Sequence, residues 1–551
     1  MGKFANEIKA YALKNAIEFG KVDAGRILPK LFQHGLEKNE VKSVMPEIVE
    51  IVGDVNRISK TEREKLFGDF KKFIKEKEEK ERGLPELPNA VEGKVVLRLA
   101  PYPSGAMHIG NARTYMLNAM YAEKYKGKLL LVMDDTIGSA EKQIAEESYQ
   151  LIEDAFAWLG VTHYGDIIYK SDRLEIYYEY AEKLIQKDKA YVCHCVQEQL
   201  RNNRVNGMAC GCRMLPKNIQ MLRWKEMFKM KEGHATLRIK TDMLHPNPAF
   251  RDRVLFKISD RAHPRVGNKY RVWPTLEMNW AIDDHLLGVT HIVRGNDLMI
   301  ESDMEKYIWD IFGWKYPELM HVGLVQFEGI KLSKSKSQQE VISGAYVGWH
   351  DPRTWSLQSL GFRGIKPEAI IEFIKEVGFS KQDITVPIDN LYAINRKMID
   401  NESNRYSFIV NPMKLSLKGV PDWKTISVPL HPDRKEAREI SVGDIYISKV
   451  DYEKYKQQEI RLIHLCNVNL KVGQVTSVEN KNINKITWVS KYVLAKVFMP
   501  DGEWINGFAD EGIESLEVGQ VIQFERFGFV RLDAIKEEEG KKIYEFWFAH
   551  K

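Results

Sequence analysis

Apolar residues in the first part of the chain recur three and four residues apart. Two such series run over positions 8–19 and 41–55, and this spacing predicts amphipathic helices. The charged run at 71–82 (KKFIKEKEEKER) predicts a solvated helix or a hinge, and GLPELPNA at 83–90 predicts a linker. We therefore expect a small N-terminal helical domain over residues 1–88. It is either a simple addition to the chain or a docking site for a partner.

The spacing of apolar residues changes after the linker. The apolar run VVLRLA (95–100) predicts a buried strand, residues 111–128 predict a helix, and LLLVMDD (129–135) predicts a second strand. Strand, helix and strand in this order form a βαβ unit, and hence a parallel sheet with a right-handed crossover. Two further apolar runs, HIVRGN and HVGLVQF, each predict one more strand, with helical sequence between them. We expect an interrupted Rossmann-type domain over 94–345, with an insertion at about 187–275.

The pattern changes twice more towards the C-terminus. Segments such as KPEAIIEFIKEVGF and NLYAINRKMID predict a helical connector over 346–405. Short alternating strands and turn signals follow over 406–551, as in YVLAKVFMPDGEWINGF, and they predict a β-barrel region. A chain of 551 residues is also too long for one core. The expected fold class is therefore multidomain α/β plus β.

Charge and apolar content exclude some broad classes and leave others open. A net charge of +5 permits a nucleic-acid partner without demanding one. No apolar run approaches the roughly 18 residues of a membrane span. The first residues, MGKFANEIKA, lack the apolar segment of a signal peptide. We expect a cytoplasmic protein with no membrane partner.

Four of the five cysteines form two close pairs, CHC at 193–195 and CGC at 210–212. Disulfide bonds are one interpretation, but a bridge within Cys-x-Cys is strained and a cytosol is reducing. Four thiols on two turns better match a closed tetrahedral zinc site. We expect His194 to point away, and we predict as ligands of a structural Zn²⁺ ion Cys193, Cys195, Cys210 and Cys212.

The densest run of unusual residues is RLAPYPSGAMHIGN, positions 98–111, directly after the first strand of the α/β domain. In such sheets ligands lie beyond the carboxyl ends of the strands. Gly110 allows close approach to the backbone, the following helix offers free N–H groups, and His108 can donate to a phosphate oxygen. The loop indicates an anion site, although a capped turn with a surface histidine has the same spacing.

A second basic loop, KLSKSKS at 331–337, lies far downstream after the run HVGLVQF. Lysine loops are common on solvated surfaces. Two flexible lysines on one loop can also neutralise a polyphosphate.

Together the two loops are recognisable. HIGN followed far downstream by KLSKS resembles the paired signatures of class I aminoacyl-tRNA synthetases. The wider context, RLAPYPSGAMHIGNART, DDHLLGVTHIVRG, WHDPRT and RFGFVRLD, is similar to the archaeal and eukaryotic form of the glutamyl- and glutaminyl-tRNA synthetase family, over about 94–551. The resemblance implies a ligase that joins L-glutamate to tRNA(Glu) through a glutamyl-adenylate, using ATP with Mg²⁺. It leaves open whether tRNA(Gln) is also charged. It further implies that the zinc insertion contacts the tRNA acceptor end, and we expect a monomer.

The resemblance also implies roles for single residues. His108 and Asn111 would hold the ATP phosphates, and Lys334, assisted by Lys331, would stabilise the departing pyrophosphate. No general base is needed, because a carboxylate is already a nucleophile. The ATP contacts implied are Pro101, Gly105, His108, Gly110, Asn111, Ser333 and Lys334. The amino-acid contacts implied are Arg98, Ala100, Asp134 and Arg294.

The chain departs from the family pattern at four positions near these sites. Asn111 stands where a second histidine is usual, and it can donate a hydrogen bond but cannot become cationic. Leu332 replaces a methionine of the lysine loop at similar volume. Leu276 and Val132 stand where a tyrosine and an arginine are often found.

Three alternatives to a glutamate ligase remain. A glutaminyl-tRNA synthetase has the same fold and chemistry and is the main one. A truncated relative that modifies a tRNA base would lack the β-rich region after residue 406. A non-catalytic tRNA-binding scaffold would not require intact His108 and Lys334.

Overall fold

The computed structural model describes residues 2–37, 40–75, 84–138 and 143–551. The chain forms two compact units, residues 1–82 and 83–551. The solvated helix or hinge predicted for the charged run lies in part outside the described residues, at 76–82. Within the described ranges, no helix is both long enough and apolar enough to cross a membrane.

The first unit is helical over its described residues. Ile8, Leu13, Ile27, Ile48 and Val55 meet in its core, which explains the three-and-four spacing of the sequence. The side chains of two N-cap residues, an aspartate and a serine, accept backbone N–H bonds at the starts of α2 and α4. The helices are α1 (Ala5–Phe19), α2 (Ala24–Leu31), α3 (Val41–Arg57) and α4 (Lys60–Phe70).

The second unit opens with a parallel βαβ unit. Its elements are β1 (Val96–Leu99), α5 (Ile109–Lys124), β2 (Lys128–Met133), α6 (Glu147–Trp158) and β3 (Ile168–Tyr169). The strands pair in the order β1-β2-β3, all parallel. Strand β2 is buried from its second residue onward, as expected of a strand covered on both faces.

The turn after α5 is built on two adjacent residues, Lys126 and Gly127. Lys126, rather than Gly127, adopts the positive φ that reverses the chain. Gly127 serves a close approach instead, because a Cβ there would lie 2.5 Å from the carbonyl oxygen of Val95 on the neighbouring strand.

An antiparallel sheet is inserted after the first half of the domain, in the order β4-β5-β6-β7. Trp224, Phe256 and Trp273 dominate its packing. It lies within the stretch that the sequence predicts as an insertion. Its elements, with the helix that precedes it, are α7 (Leu174–Gln186), β4 (Ala190–Cys193), α8 (Gln197–Asn206), α9 (Lys217–Met227), β5 (Thr236–Ile239), β6 (Val254–Ile258) and β7 (Val272–Pro274).

The second half of the α/β domain resumes the parallel pattern. It comprises α10 (Leu276–Leu286), β8 (His291–Gly295), α11 (Met299–Phe312) and β9 (Glu318–Val322), with β8 and β9 parallel. The two halves join where the backbone N–H of Thr290 donates to the carbonyl of Val96 (2.9 Å). Strands β1 and β8 therefore lie side by side, and the strand order reverses between them. The predicted Rossmann-type sheet is confirmed, and this reversal is where such sheets bind ligands.

The run HVGLVQF, predicted as one strand, belongs to two strands, and that prediction is wrong. Strand β9 ends before Gly323, and β10 (Val325–Phe327) pairs in parallel with β11 (Ile384–Val386). Gly323 has no room for a side chain because it lies against the backbone of Gln382. The chain thus changes sheet at the one residue that can approach a second backbone this closely.

Helices follow β10 up to about residue 400. Leu357, Leu360, Ile370 and Phe373 bury their side chains in the same core as β1 and α5. The helical connector expected over 346–405 covers the last three of these helices and remains a prediction as a separate domain. The helices are α12 (Lys334–Ile342), α13 (Leu357–Phe362), α14 (Pro367–Val377) and α15 (Asp389–Ile399).

The remaining residues are mostly strands in two cores. Seven strands form one sheet in the order β12-β24-β25-β26-β22-β23-β13, and β12 and β13 at its two ends are separated in sequence only by Ser407, so this sheet is nearly closed. Shorter sheets surround the second core. The elements are β12 (Arg405–Tyr406), β13 (Phe408–Val410), β14 (Pro412–Leu415), β15 (Thr425–Pro429), β16 (Ala437–Ser441), β17 (Ile445–Ser448), α16 (Lys449–Tyr455), β18 (Glu459–Leu462), β19 (Asn467–Asn469), β20 (Gln474–Ser477), β21 (Lys485–Ile486), β22 (Tyr492–Phe498), β23 (Trp504–Asp510), β24 (Val521–Phe524), β25 (Gly528–Glu538) and β26 (Lys541–His550).

A buried arginine joins the connector to the seven-stranded sheet. Arg363 follows α13 and donates to the carbonyls of Phe548 (2.9 Å) and Ala549 (2.6 Å) on β26, and to the hydroxyl of Tyr392 (2.9 Å) on α15. The Arg363 side chain is fully buried, so water cannot replace it as the donor to these oxygen atoms.

We predict that Arg363→Met lowers the free energy of unfolding by about 3 kcal/mol, since two buried carbonyl groups lose a charged donor. Urea denaturation followed by tryptophan fluorescence measures the change. The control is Arg201→Leu, at an exposed position of α8, which should shift stability by less than about 0.5 kcal/mol. Equal effects of the two substitutions would show that Arg363 does not hold the sheet.

Candidate functional site

The HIGN loop lies at the carboxyl end of β1, beside the strand reversal. His108 is the N-cap residue of α5 and has extended backbone angles. Gly105 has φ of 141°, and the ring of Trp349 occupies the space where its Cβ would be. A side chain at Gly105 is therefore excluded both by backbone geometry and by contact. The loop is a rigid structure at the place where α/β sheets bind ligands.

The two motifs predicted from the sequence are in contact. Leu332 of the lysine loop packs against Gly110, where a Cβ would lie 2.9 Å from the Leu332 Cδ1 atom. The segment after the lysine loop also reaches α5, because the Ile109 N–H donates to the carbonyl of Trp355 (3.2 Å) and the Leu357 N–H to that of Met107 (2.8 Å). Residues far apart in sequence thus form one site.

His108 is electrically neutral at this site. Burial and the positive charge of Lys334 lower the pKa of His108 to about 3, so the imidazole is uncharged at neutral pH. Its Nδ1 atom and the Oδ1 atom of Asn111 are buried and have no hydrogen-bond partner among the described residues. Two unsatisfied polar atoms at a strand end indicate a place for a polar ligand.

The other predicted nucleotide contacts surround this point. The carbonyl of Pro101 accepts the backbone N–H of Asp134 (2.9 Å), which ties the loop to the end of β2. Ser333 begins α12, and its hydroxyl accepts the N–H of Lys336 (3.3 Å). Lys334 is the first residue of that helix, and Lys331 is exposed just before it. Both cations therefore lie at a helix N-terminus, where the backbone adds positive potential.

The predicted amino-acid residues lie at the same edge, and their charges are already paired within the chain. Arg98 forms a two-pronged ion pair with Asp284, through Nε and through Nη2 (2.9 Å to Oδ2). Arg294 forms a similar pair with Glu305, with Nη1–Oε1 at 2.9 Å and Nη2–Oε2 at 2.5 Å. The remaining predicted contact, Ala100, is half-buried at the end of β1.

Asp134 also has a partner within the chain. Its Oδ1 atom lies 2.9 Å from Nζ of Lys170, and both side chains are almost fully buried. Lys170 further donates to Oδ1 of Asn279 (2.6 Å). Burial lowers the pKa of Lys170, while the attraction of Asp134 opposes that effect.

Sequence reasoning missed Lys170 and Trp280. Lys170 directly follows β3, and a polar residue just after a strand at the ligand-binding edge is a usable signal, though a weak one. Trp280 lies on α10, and no sequence pattern distinguishes it from an ordinary core residue. The structure brings both into the amino-acid region through contacts between elements far apart in sequence.

The side chains of Asp283, Asp284 and His285 make hydrogen bonds, ion pairs and a ring contact within the chain. Asp283 accepts from Arg173 Nε (2.8 Å) and from the hydroxyl of Tyr177 (2.6 Å). Asp284 is the partner of Arg98, and His285 stacks on a tryptophan ring. These side chains hold α10 against the sheet rather than offering metal ligands together.

The four cysteines of the inserted sheet form a compact cluster. Their Sγ atoms all lie within 4.8 Å of one another, and the Sγ atoms of Cys193 and Cys210 are 3.7 Å apart. Tetrahedral zinc with Zn–S bonds of about 2.3 Å requires S···S separations of roughly 3.8 Å. The thiols are free, so their chemistry and spacing fit a Cys₄ zinc site. The neighbouring His194 is outside the cluster.

Comparisons with known proteins agree with this geometry. Residues 94–401 match the family described as tRNA synthetases class I (E and Q), catalytic domain. Residues 403–490 and 476–533 match two families described as tRNA synthetases class I (E and Q), anti-codon binding domain.

Individual relatives extend over almost the whole chain. The chain is 42% identical to the glutamate–tRNA ligase of Pyrococcus abyssi over 98% of each protein. It is 39% identical to that of Methanocaldococcus jannaschii over 97% of this chain and 98% of the other. A crystal structure of a glutamate tRNA ligase from Elizabethkingia meningosepticum in complex with its amino acid matches 56% of this chain and 71% of its own, with a TM-score of 0.40 and 18% identity. The resemblance predicted from the motifs is confirmed, and the chain belongs to the class I tRNA synthetases of the glutamate and glutamine (E and Q) group.

Proposed function

We propose that this chain attaches L-glutamate to tRNA in an ATP-dependent reaction that passes through a glutamyl-adenylate. The observation that carries the proposal is the contact between the HIGN loop and the lysine loop at the strand reversal, next to a cluster of buried, paired charges. The relatives named above are glutamate–tRNA ligases, which favours glutamate over glutamine as the amino acid.

In the first half-reaction the carboxylate of the amino acid attacks the α-phosphate of ATP and pyrophosphate leaves. The protein needs no base for this step, so its residues contribute position and charge. His108, held neutral, can donate a ring N–H to a phosphate oxygen, and Asn111 can donate through its side-chain amide nitrogen. Pro101, Gly105 and Gly110 shape the loop around it. Mg²⁺ bound with ATP would add charge neutralisation on the phosphates.

The lysine loop would stabilise the negative charge of pyrophosphate, the leaving group. Lys334 and Lys331 lie at the N-terminus of α12, and Ser333 fixes that helix start. Negative charge that develops on pyrophosphate would meet two ammonium groups and the positive end of the helix. The amino acid would bind beside them, between Arg98 and Arg294, with Ala100 at the strand end and its α-ammonium group directed to Asp134.

The remaining regions are assigned to tRNA and to structure. The nearly closed sheet and the second β-rich core would bind the anticodon of tRNA(Glu). The proposal includes recognition of tRNA(Gln) by the same surface, so that tRNA(Gln) would also be charged. The inserted sheet would contact the acceptor end, with its four cysteines holding a structural zinc ion. We further propose a monomer that acts in the cytoplasm.

Replacing Lys334 with alanine should lower the rate of glutamyl-tRNA formation by about two to three decades, equivalent to roughly 3–4 kcal/mol of transition-state stabilisation. Glutamate KM should change far less, because the lysine acts on charge that develops during the reaction. Aminoacylation of tRNA(Glu) with labelled glutamate measures both values. The matched control is Lys336→Ala, two residues further along the same helix and exposed.

A chain that forms no glutamyl-tRNA under these conditions, with its fold intact, would refute the proposed function. Equal and small effects of the two lysine substitutions would instead refute the role of Lys334 alone.

The purified protein should contain about one zinc ion per chain, held by four thiolates. Cys210→Ser should release the metal and destabilise the inserted sheet, since metal binding contributes to folding at such sites. Elemental analysis gives the metal content. Cys466→Ser is the control, because Cys466 is buried in a different core and should leave the zinc in place. Full zinc content in the Cys210 variant would contradict the assignment.

A further inference from the structure

Three cationic side chains surround one indole ring in the amino-acid region. The guanidinium carbon of Arg98 lies 4.1 Å from the ring centroid of Trp280, that of Arg294 lies 5.2 Å from it, and Lys170 Nζ lies 4.7 Å from it. An aromatic face attracts cations, so the ring draws the three charges together although they repel one another.

Each of these cations faces a carboxylate of the chain. Arg98 pairs with Asp284 and Arg294 pairs with Glu305, both through two nitrogen atoms. The third pair is Lys170 with Asp134. Three cations and three anions leave the surroundings of Trp280 with no net charge.

Lys170 differs from the two arginines in its position. Its side chain is only 1% exposed, and it contacts the carboxylate that the proposed mechanism assigns to the α-ammonium group of the substrate. Nothing in the activation chemistry requires a lysine there. Without this cation Asp134 would be a buried carboxylate that lacks a counterion, and the pocket would carry a net charge of −1.

We propose that Lys170 is a positioning and specificity residue of the amino-acid pocket. By pairing with Oδ1 of Asp134 it keeps the charge cluster around Trp280 neutral, so that an amino acid of net charge −1 can bind beside it. This inference rests on the proposed glutamate activation, since it concerns how the same site selects its substrate. Glutamate carries one positive and two negative charges, whereas zwitterionic glutamine carries no net charge, so the field of Lys170 favours glutamate.

Two unpaired donors in the same cluster support an anionic ligand. Nε1 of Trp280 and Nε of Arg294 are buried and have no hydrogen-bond partner among the described residues. Trp280 is 5% exposed and Arg294 is 3% exposed, so neither donor is satisfied by bulk water. Both oxygen atoms of a carboxylate accept hydrogen bonds, so one carboxylate can accept from both of these donors. A side-chain amide has only one acceptor atom, its oxygen.

The inference is tested by comparing an anionic and a neutral ligand in the complete enzyme. For Lys170→Met, the KM of glutamate should rise roughly a hundredfold, the order expected from one unit charge at ~6 Å with an effective dielectric constant of about 20. The inhibition constant of glutamine against glutamylation should stay within about threefold or fall, because Asp134 becomes free to attract an ammonium group. Lys170→Arg keeps the charge and should preserve the ratio of the two constants.

A second variant covers the case in which Lys170→Met does not fold. Lys170→Met combined with Asp134→Asn removes both charges and restores a neutral pocket. Glutamate and glutamine should then both bind more weakly, since both lose the partner of their ammonium group, while the ratio of their constants returns towards that of the unmodified enzyme.

Loss of affinity by the same factor for glutamate and glutamine in Lys170→Met would overturn the inference and make Lys170 a structural brace. So would a ratio in the double variant that stays far from the parental value. Failure of the unmodified enzyme to glutamylate tRNA is a different result, which would remove the proposed function itself.

Discussion

Charged side chains removed from water must be paired, and the structure of this site depends on how that requirement is met around Trp280. Arg98, Lys170 and Arg294 come from different parts of the α/β domain, and each faces a carboxylate from another element. Breaking such a buried pair leaves an uncompensated charge, which costs about 3–5 kcal/mol. The pairs therefore fix β1, β8, α10 and α11 relative to one another at the point where the strand order reverses.

These ion pairs fix the positions of the charged side chains before the substrate binds. The arginines expected to meet the amino acid are held in place by Asp284 and Glu305 before any ligand arrives. Preorganised charge of this kind costs no rearrangement when the substrate binds. The nucleotide loops follow the same principle, because Leu332 packs on Gly110 and Trp349 packs on Gly105 in the free protein.

The elements with local sequence signals could be predicted, whereas contacts between elements far apart in the chain could not. Local signals were sufficient for β1, α5 and β2, for the helices of the first unit, and for the two loops that carry His108 and Lys334. The pairing of Lys170 with Asp134 depends on two residues in separate elements, and nothing local to either residue indicates the other. The division of HVGLVQF at Gly323 was missed because it depends on the approach of a distant backbone at Gln382.

The proposed role of Lys170 means that the charge around Trp280 selects glutamate as the substrate. The most direct measurement gives the enzyme purified tRNA(Glu), ATP and equal concentrations of differently labelled glutamate and glutamine, and determines which amino acid becomes esterified. Glutamyl-tRNA should form almost alone. Predominant formation of glutaminyl-tRNA would contradict it.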